Sequence, residues 1–154
     1  MLGLQSDDFR IKTENFDLTK SRNILRVACG LFFLPHIAGK FVGFAVNPAI
    51  AAFFAKAGFA PAEVWVLFAA AAETAASVCL ILGVCTRFAA LGAFALLLVT
   101  VYALQVVKGF GWTWNTGGYE YPVFWAIVAA CVAIDAWRCR AVSAAEARLA
   151  LQAA

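Results

Sequence analysis

Charge is scarce in this chain: 14% of its 154 residues are Asp, Glu, Lys or Arg, while 64% are hydrophobic. A soluble domain carries about a quarter of its residues charged, so the shortage excludes an ordinary water-exposed fold. The mean hydropathy of +0.85 points to lipid as the solvent. Histidine is nearly absent, with His36 alone. One His among scattered carboxylates lacks the spacing of a zinc or di-iron site, so no metal is expected. The five cysteines contain no C-x-x-C pair, which argues against a disulfide-exchange enzyme. No Gly-rich phosphate loop, nucleophile elbow or basic-aromatic nucleic-acid motif occurs, so neither nucleotide nor nucleic acid is expected as a ligand. Met1 to Arg22 holds no apolar core before a small-residue cleavage site, so the first apolar stretch is expected to stay in the mature protein.

Four apolar stretches are present, at 24–46, 62–84, 88–107 and 122–137, and a helical span needs about twenty apolar residues. The last is short, but it lengthens through Glu120 and Tyr121 or through Trp137. None alternates with period two, and Ala and Leu dominate, which favours helix over strand. Lipid also leaves the backbone no partner but itself. The expectation is an all-α integral membrane four-helix bundle at 23–138, with a polar leader at 1–22 and a short tail at 139–154.

Basic residues orient it. Nine of the twelve, Arg10, Lys12, Lys20, Arg22, Arg26, Arg87, Arg138, Arg140 and Arg148, fall at one end of the predicted helices, and Lys40, Lys56 and Lys108 at the other. The positive-inside rule then puts both termini in the cytoplasm. Trp65, Trp112, Trp114, Tyr119, Tyr121 and Trp125 gather at the outward end, as an interfacial belt does. The cysteines fall near the cytoplasmic ends, where thiols stay reduced, and read as packing residues.

Between the first two stretches, NPAIAAFFAKAGFAP carries Phe53, Phe54 and Phe59 between two prolines and predicts a short outer interfacial helix. The leader reads equally as a surface-resting or a disordered segment. Gly83 to Arg87 predicts a tight inner turn joining the second and third helices. The run GFGWTWNTGGYEYP reads as a structured outer lid, with an unstructured aromatic loop as the alternative.

Polar groups inside a hydrocarbon layer are expensive and mark site candidates. At about 1.5 Å of rise per residue, His36 lies roughly 18 Å, Lys40 roughly 24 Å and Glu73 roughly 14 Å from the inner edge. This ruler pairs Glu73 with His36 and leaves Lys40 to snorkel outward to Glu120. Tyr102 and Gln105 add hydrogen bonds from the third helix. His36, Lys40, Glu73, Tyr102, Gln105 and Glu120 are thus expected to converge on an outward-opening pocket below the lid. A proton-sharing pair that only fixes helix register is the alternative. At the inner boundary Arg87 is expected to form a structural ion pair with Asp135.

Arg26, Gly30, Phe33, Gly39 and Lys40 in the first helix, the segment ending at Pro61, Glu73, LGVCTR ending at Arg87 and GGYEY around Glu120 together resemble the DoxX family over about residues 22–137. The resemblance implies a four-helix protein of the bacterial inner membrane, similar to the small membrane subunit of a thiosulfate:quinone oxidoreductase. Lys40, Glu73, Arg87 and Glu120 stand where the family's polar positions fall. The function so implied is a redox-linked membrane subunit whose pocket takes a quinone or similar small amphipathic molecule. Its partners would be the lipid bilayer and either another protein or further copies of itself. The rivals are a non-catalytic anchoring subunit and, less favoured, a small-solute transporter, since four helices without an internal repeat offer little for alternating access.

Overall fold

A computed structural model of the chain describes residues 3–152, and these are mostly helical. Residues 1–2 of the predicted leader and 153–154 of the predicted tail lie outside the described residues. The first apolar stretch is not one helix. It forms α1 (Ser21–Leu31) and α2 (Phe33–Gly39), interrupted at Phe32. Pro35 explains the break, because it has no N–H for the Leu31 carbonyl and its ring crowds that same oxygen. The expected span at 24–46 also ends early. Beyond Gly39 the chain turns into a hairpin of β1 (Phe41–Val42) and β2 (Ala45–Val46), with Phe41 opposite Val46 and Gly43 at φ 61° in the turn.

A short helix, α3 (Pro48–Lys56), stands where the interfacial helix was expected. Asn47 caps it by accepting from the Ala49 amide at 3.0 Å, and Pro48 supplies a preset first turn. Three long helices follow: α4 (Ala62–Leu82), α5 (Thr86–Lys108) and α6 (Glu120–Gln152). Each is long and apolar enough to cross a membrane. No helical break separates a tail at residue 139, because α6 continues to Gln152.

Four helical elements close into a ring, with α1 against α4 and α6, and α5 against α4 and α6. Small side chains bring the backbones together: Ala76, Ala90, Ala93, Ala126 and Ala129 are buried beside Cys29, Phe33, Leu80 and Leu97. The α1–α4 contact is tightest at Gly30, where a Cβ would lie 3.0 Å from Leu80, Ile81 and the Ser77 carbonyl. Ser77 Oγ donates to the Gly30 carbonyl there at 2.9 Å. Large apolar side chains such as Leu67, Phe68, Leu98, Phe124 and Ile127 face outward. Water would penalise that surface and lipid would not.

Candidate functional site

Two polar centres hold the bundle together. The first lies at the end of α2. Lys40 directly follows Gly39, and its Nζ meets Glu73 of α4 at 2.6 Å to Oε2 and 2.8 Å to Oε1. Both side chains are nearly enclosed, at 9% and 12% exposure. Lys40 Nζ also donates to the His36 carbonyl at 3.4 Å, a favourable place for a cation at a helix C-terminus. Asn47 fixes the backbone beside it, with its side chain on the Gly39 carbonyl at 3.0 Å and its amide on the Lys40 carbonyl at 2.8 Å.

This arrangement corrects the expected pairings. Glu73 takes Lys40 rather than His36, because the break above Pro35 departs from the straight helix on which the depth ruler relied. The His36 side chain is exposed and packs against Trp125, with ring centroids 5.6 Å apart. Glu120 does not receive Lys40; its Oε2 accepts from the Trp114 amide at 3.3 Å. Tyr102 and Gln105 lie exposed on the outer face of α5. Among the described residues, the only side chains of the predicted six that meet are Lys40 and Glu73. Such a pair, with both charges already matched, positions two helices and offers no open acid or base.

At the same end of the ring, the loop between α5 and α6 is ordered by its own backbone. The Tyr119 amide donates to the Gly111 carbonyl and the Glu120 amide to the Trp112 carbonyl, each at 3.1 Å. Trp112 stands edge-on to the buried Tyr119, and Trp114 edge-on to Tyr121. Trp112, Trp114 and Tyr121, with Phe124 and Glu120, wall a cavity of about 420 Å³. Lys40 and Glu73 are not among its walls.

The second polar centre is at the opposite end, where the leader folds back as two 3-10 turns, Ser6–Phe9 and Thr13–Phe16. The predicted Arg87–Asp135 pair does not form. Arg87 instead donates to Asp8 Oδ2 at 2.7 Å and to the Gly3 carbonyl at 2.6 Å, with its guanidinium stacked near Phe88 and Trp137. Asp135 lies on the exposed face of α6, out of reach of Arg87, and the Cys139 thiol points at it from 4.0 Å. Arg140 reaches Asp7 at 3.3 Å and also bonds Gln5.

Asn15 and Arg26 complete this cap. Asn15 Nδ2 donates to the Gly83 carbonyl at 3.2 Å, and Arg26 donates to the carbonyls of Leu80, Ile81 and Asn15. These serve the last α4 carbonyls, which have no helical partner. Burial pushes the Asp8 carboxyl up, but the Gln5 amide and the Arg87 guanidinium outweigh it and hold it below the ordinary carboxylate range. Burial also raises the Cys85 thiol. The roles of Asp8, Asn15 and Arg140 escaped the sequence reading. The available signal was an acidic pair, Asp7 and Asp8, in the same predicted compartment as a basic rim.

Among the described residues no three His, Cys, Asp or Glu side chains gather as metal ligands would. All five cysteines are free thiols. No curated protein and no solved structure matches the chain. The DoxX family profile matches residues 22–106, from the start of α1 almost to the end of α5, and takes in Arg26, Lys40, Glu73 and Arg87. With more than half of the chain matched and three helices fit to cross a bilayer, the chain is a multi-pass membrane protein and belongs to the DoxX family.

Proposed function

We propose that the chain is a four-span subunit of the bacterial cytoplasmic membrane, with both termini in the cytoplasm, that anchors or stabilises a larger redox-linked complex and performs no reaction itself. One observation carries this reading: the two charges buried near α2 and α4 are matched to each other at 2.6 Å, so neither of the pair stands free for proton transfer. Ser21 to Gly39 would supply the fourth crossing, since α1 and α2 together run about 28 Å, close to the thickness of the hydrocarbon layer. The nine basic residues at the leader end favour that end as cytoplasmic, and α3 with its phenylalanines would then lie in the outer interface. The redox link rests on the family expectation, and a partner protein would carry the electron-transfer chemistry.

The test is joint analysis of proteins and lipids that co-purify in mild detergent. A partner at fixed stoichiometry is expected, without quinone, and it should survive the double substitution Lys40→Met with Glu73→Leu. Stoichiometric quinone, or purification of the chain alone, overturns the reading.

A second reading is favoured by the outer aromatic cavity. Trp112, Trp114, Tyr121 and Phe124 present ring faces and edges suited to a quinone headgroup or a similar amphipathic molecule, and Glu120 at the rim would accept from the hydroxyl of the reduced, quinol form. In that case Trp114→Ala lowers the bound quinone and quinol and Glu120→Gln the bound quinol, while Tyr102→Phe, outside the cavity, leaves both unchanged.

A further inference from the structure

A cavity of about 430 Å³ opens at the leader end between α1, α6 and the leader. Its charged walls come from both signs. Lys12 and Arg26 already have partners, Lys12 on Asp7 at 2.9 Å and Arg26 on backbone carbonyls. Arg22, Glu14 and Asp135 are different: all three are exposed, and among the described residues none has an ion-pair partner. Arg22 donates to the Cys139 thiol at 3.4 Å, and the same thiol faces Asp135 at 4.0 Å. A guanidinium and a carboxylate therefore flank one sulfur without meeting each other. The start of α1 adds positive potential, because its first turn has no acidic residue and no side-chain cap. Leu25 and Val132 give the cavity an apolar floor on the bundle side.

An anion alone would face Glu14 and Asp135, and a cation alone would face Arg22 and the start of α1. A molecule carrying both charges a few ångströms apart satisfies both sets. We propose that this cavity binds the headgroup of an aminophospholipid, with the phosphodiester on Arg22 and the primary ammonium on Asp135 and Glu14. The inference rests on the membrane frame proposed above, in which this end of the ring meets the cytoplasmic headgroup layer. There the apolar floor would meet the start of the acyl chains. A primary ammonium donates three hydrogen bonds to carboxylates. A quaternary ammonium donates none, and a glycerol headgroup brings no positive charge.

Native mass spectrometry of the full chain in mild detergent tests this, with phosphatidylethanolamine, phosphatidylglycerol and phosphatidylcholine added in turn. Retention of phosphatidylethanolamine should exceed that of either other lipid by about threefold, the preference one solvent-screened ion pair supplies. Asp135→Asn should abolish the preference over phosphatidylglycerol, and Arg22→Gln should weaken both lipids together. Both residues are exposed, and an unchanged thermal midpoint for each variant separates lost binding from lost folding. Equal retention of the three lipids overturns the proposal, as does a phosphatidylglycerol preference or an Asp135→Asn variant like the wild type. Inorganic phosphate competing at millimolar concentration would show an ion site instead. The membrane frame fails separately: labelling of Cys139 by an impermeant thiol reagent added outside intact cells would overturn it whatever the lipids do.

Discussion

At the scale of single residues, the Lys40–Glu73 pair is the contact on which most depends. Removing one partner leaves the other charge enclosed and unmatched, which costs about 3–5 kcal/mol, whereas replacing both with apolar residues is close to neutral. Lys40→Met and Glu73→Leu should each lower the thermal midpoint in detergent sharply, and the double variant should recover most of the loss. Equal losses in all three would show that the pair contributes little. Gly83 offers a second case. It sits at φ 72°, and a Cβ there would lie 2.4 Å from Asn15 Nδ2. Gly83→Ala should cost about 2 kcal/mol from the left-handed backbone alone, with further loss of the leader contact, measured by denaturant titration in mixed micelles. The sequence located Lys40 and Glu73 as charges at membrane depth because each interrupts an apolar run. It mispaired them because a uniform rise per residue ignores Pro35, and one broken turn changes which side chain faces α4.

At the scale of elements, the helices at 62–84 and 88–107 were legible from apolar length, and Gly83 announced the turn between them. The leader was not legible. Its residues have the composition of a solvated segment, and what orders them are acceptors and cations more than sixty residues away, such as Gly83 and Arg87. That docking depends on pH with a definite sign. The docked Asp8 carboxyl has a pKa below that of a free Asp, about 3.9, so docking favours the ionised form. Its contribution is complete above that free value and is lost as pH falls through the lower, docked one. Protection of the Cys85 amide, which donates to the Asp8 carbonyl at 2.7 Å, relative to the free-peptide exchange rate at the same pH should stay high at neutral pH and fall in strong acid. Asp8→Asn should lower it throughout. Protection that ignores both changes would show that Asp8 does not hold the leader.

On the scale of the whole molecule, the ring of α1, α4, α5 and α6 ends near Arg140, and α6 beyond it projects with its described side chains exposed. Deleting residues 141–152 should leave the thermal midpoint within about a degree, because surface positions away from packed contacts contribute within about 0.5 kcal/mol. Deleting one residue more removes Arg140 and should loosen the leader. A fall in midpoint with the shorter deletion would place part of the core in the final turns. The apolar run ends at Trp137 and the sequence reading set the bundle's limit at 138, but no proline or glycine marks a stop there, so the unbroken continuation of α6 to Gln152 was not legible. The clamp of Arg140 on Asp7 also sets an order of events during synthesis. Asp7 and Arg140 are separated by 133 positions, so at about 5–20 residues per second the leader leaves the ribosome roughly ten seconds before its last partner exists. The leader is made before the helices and placed after them, and a bulky tag fused ahead of Gly3 would obstruct that final step after every helix had already been inserted.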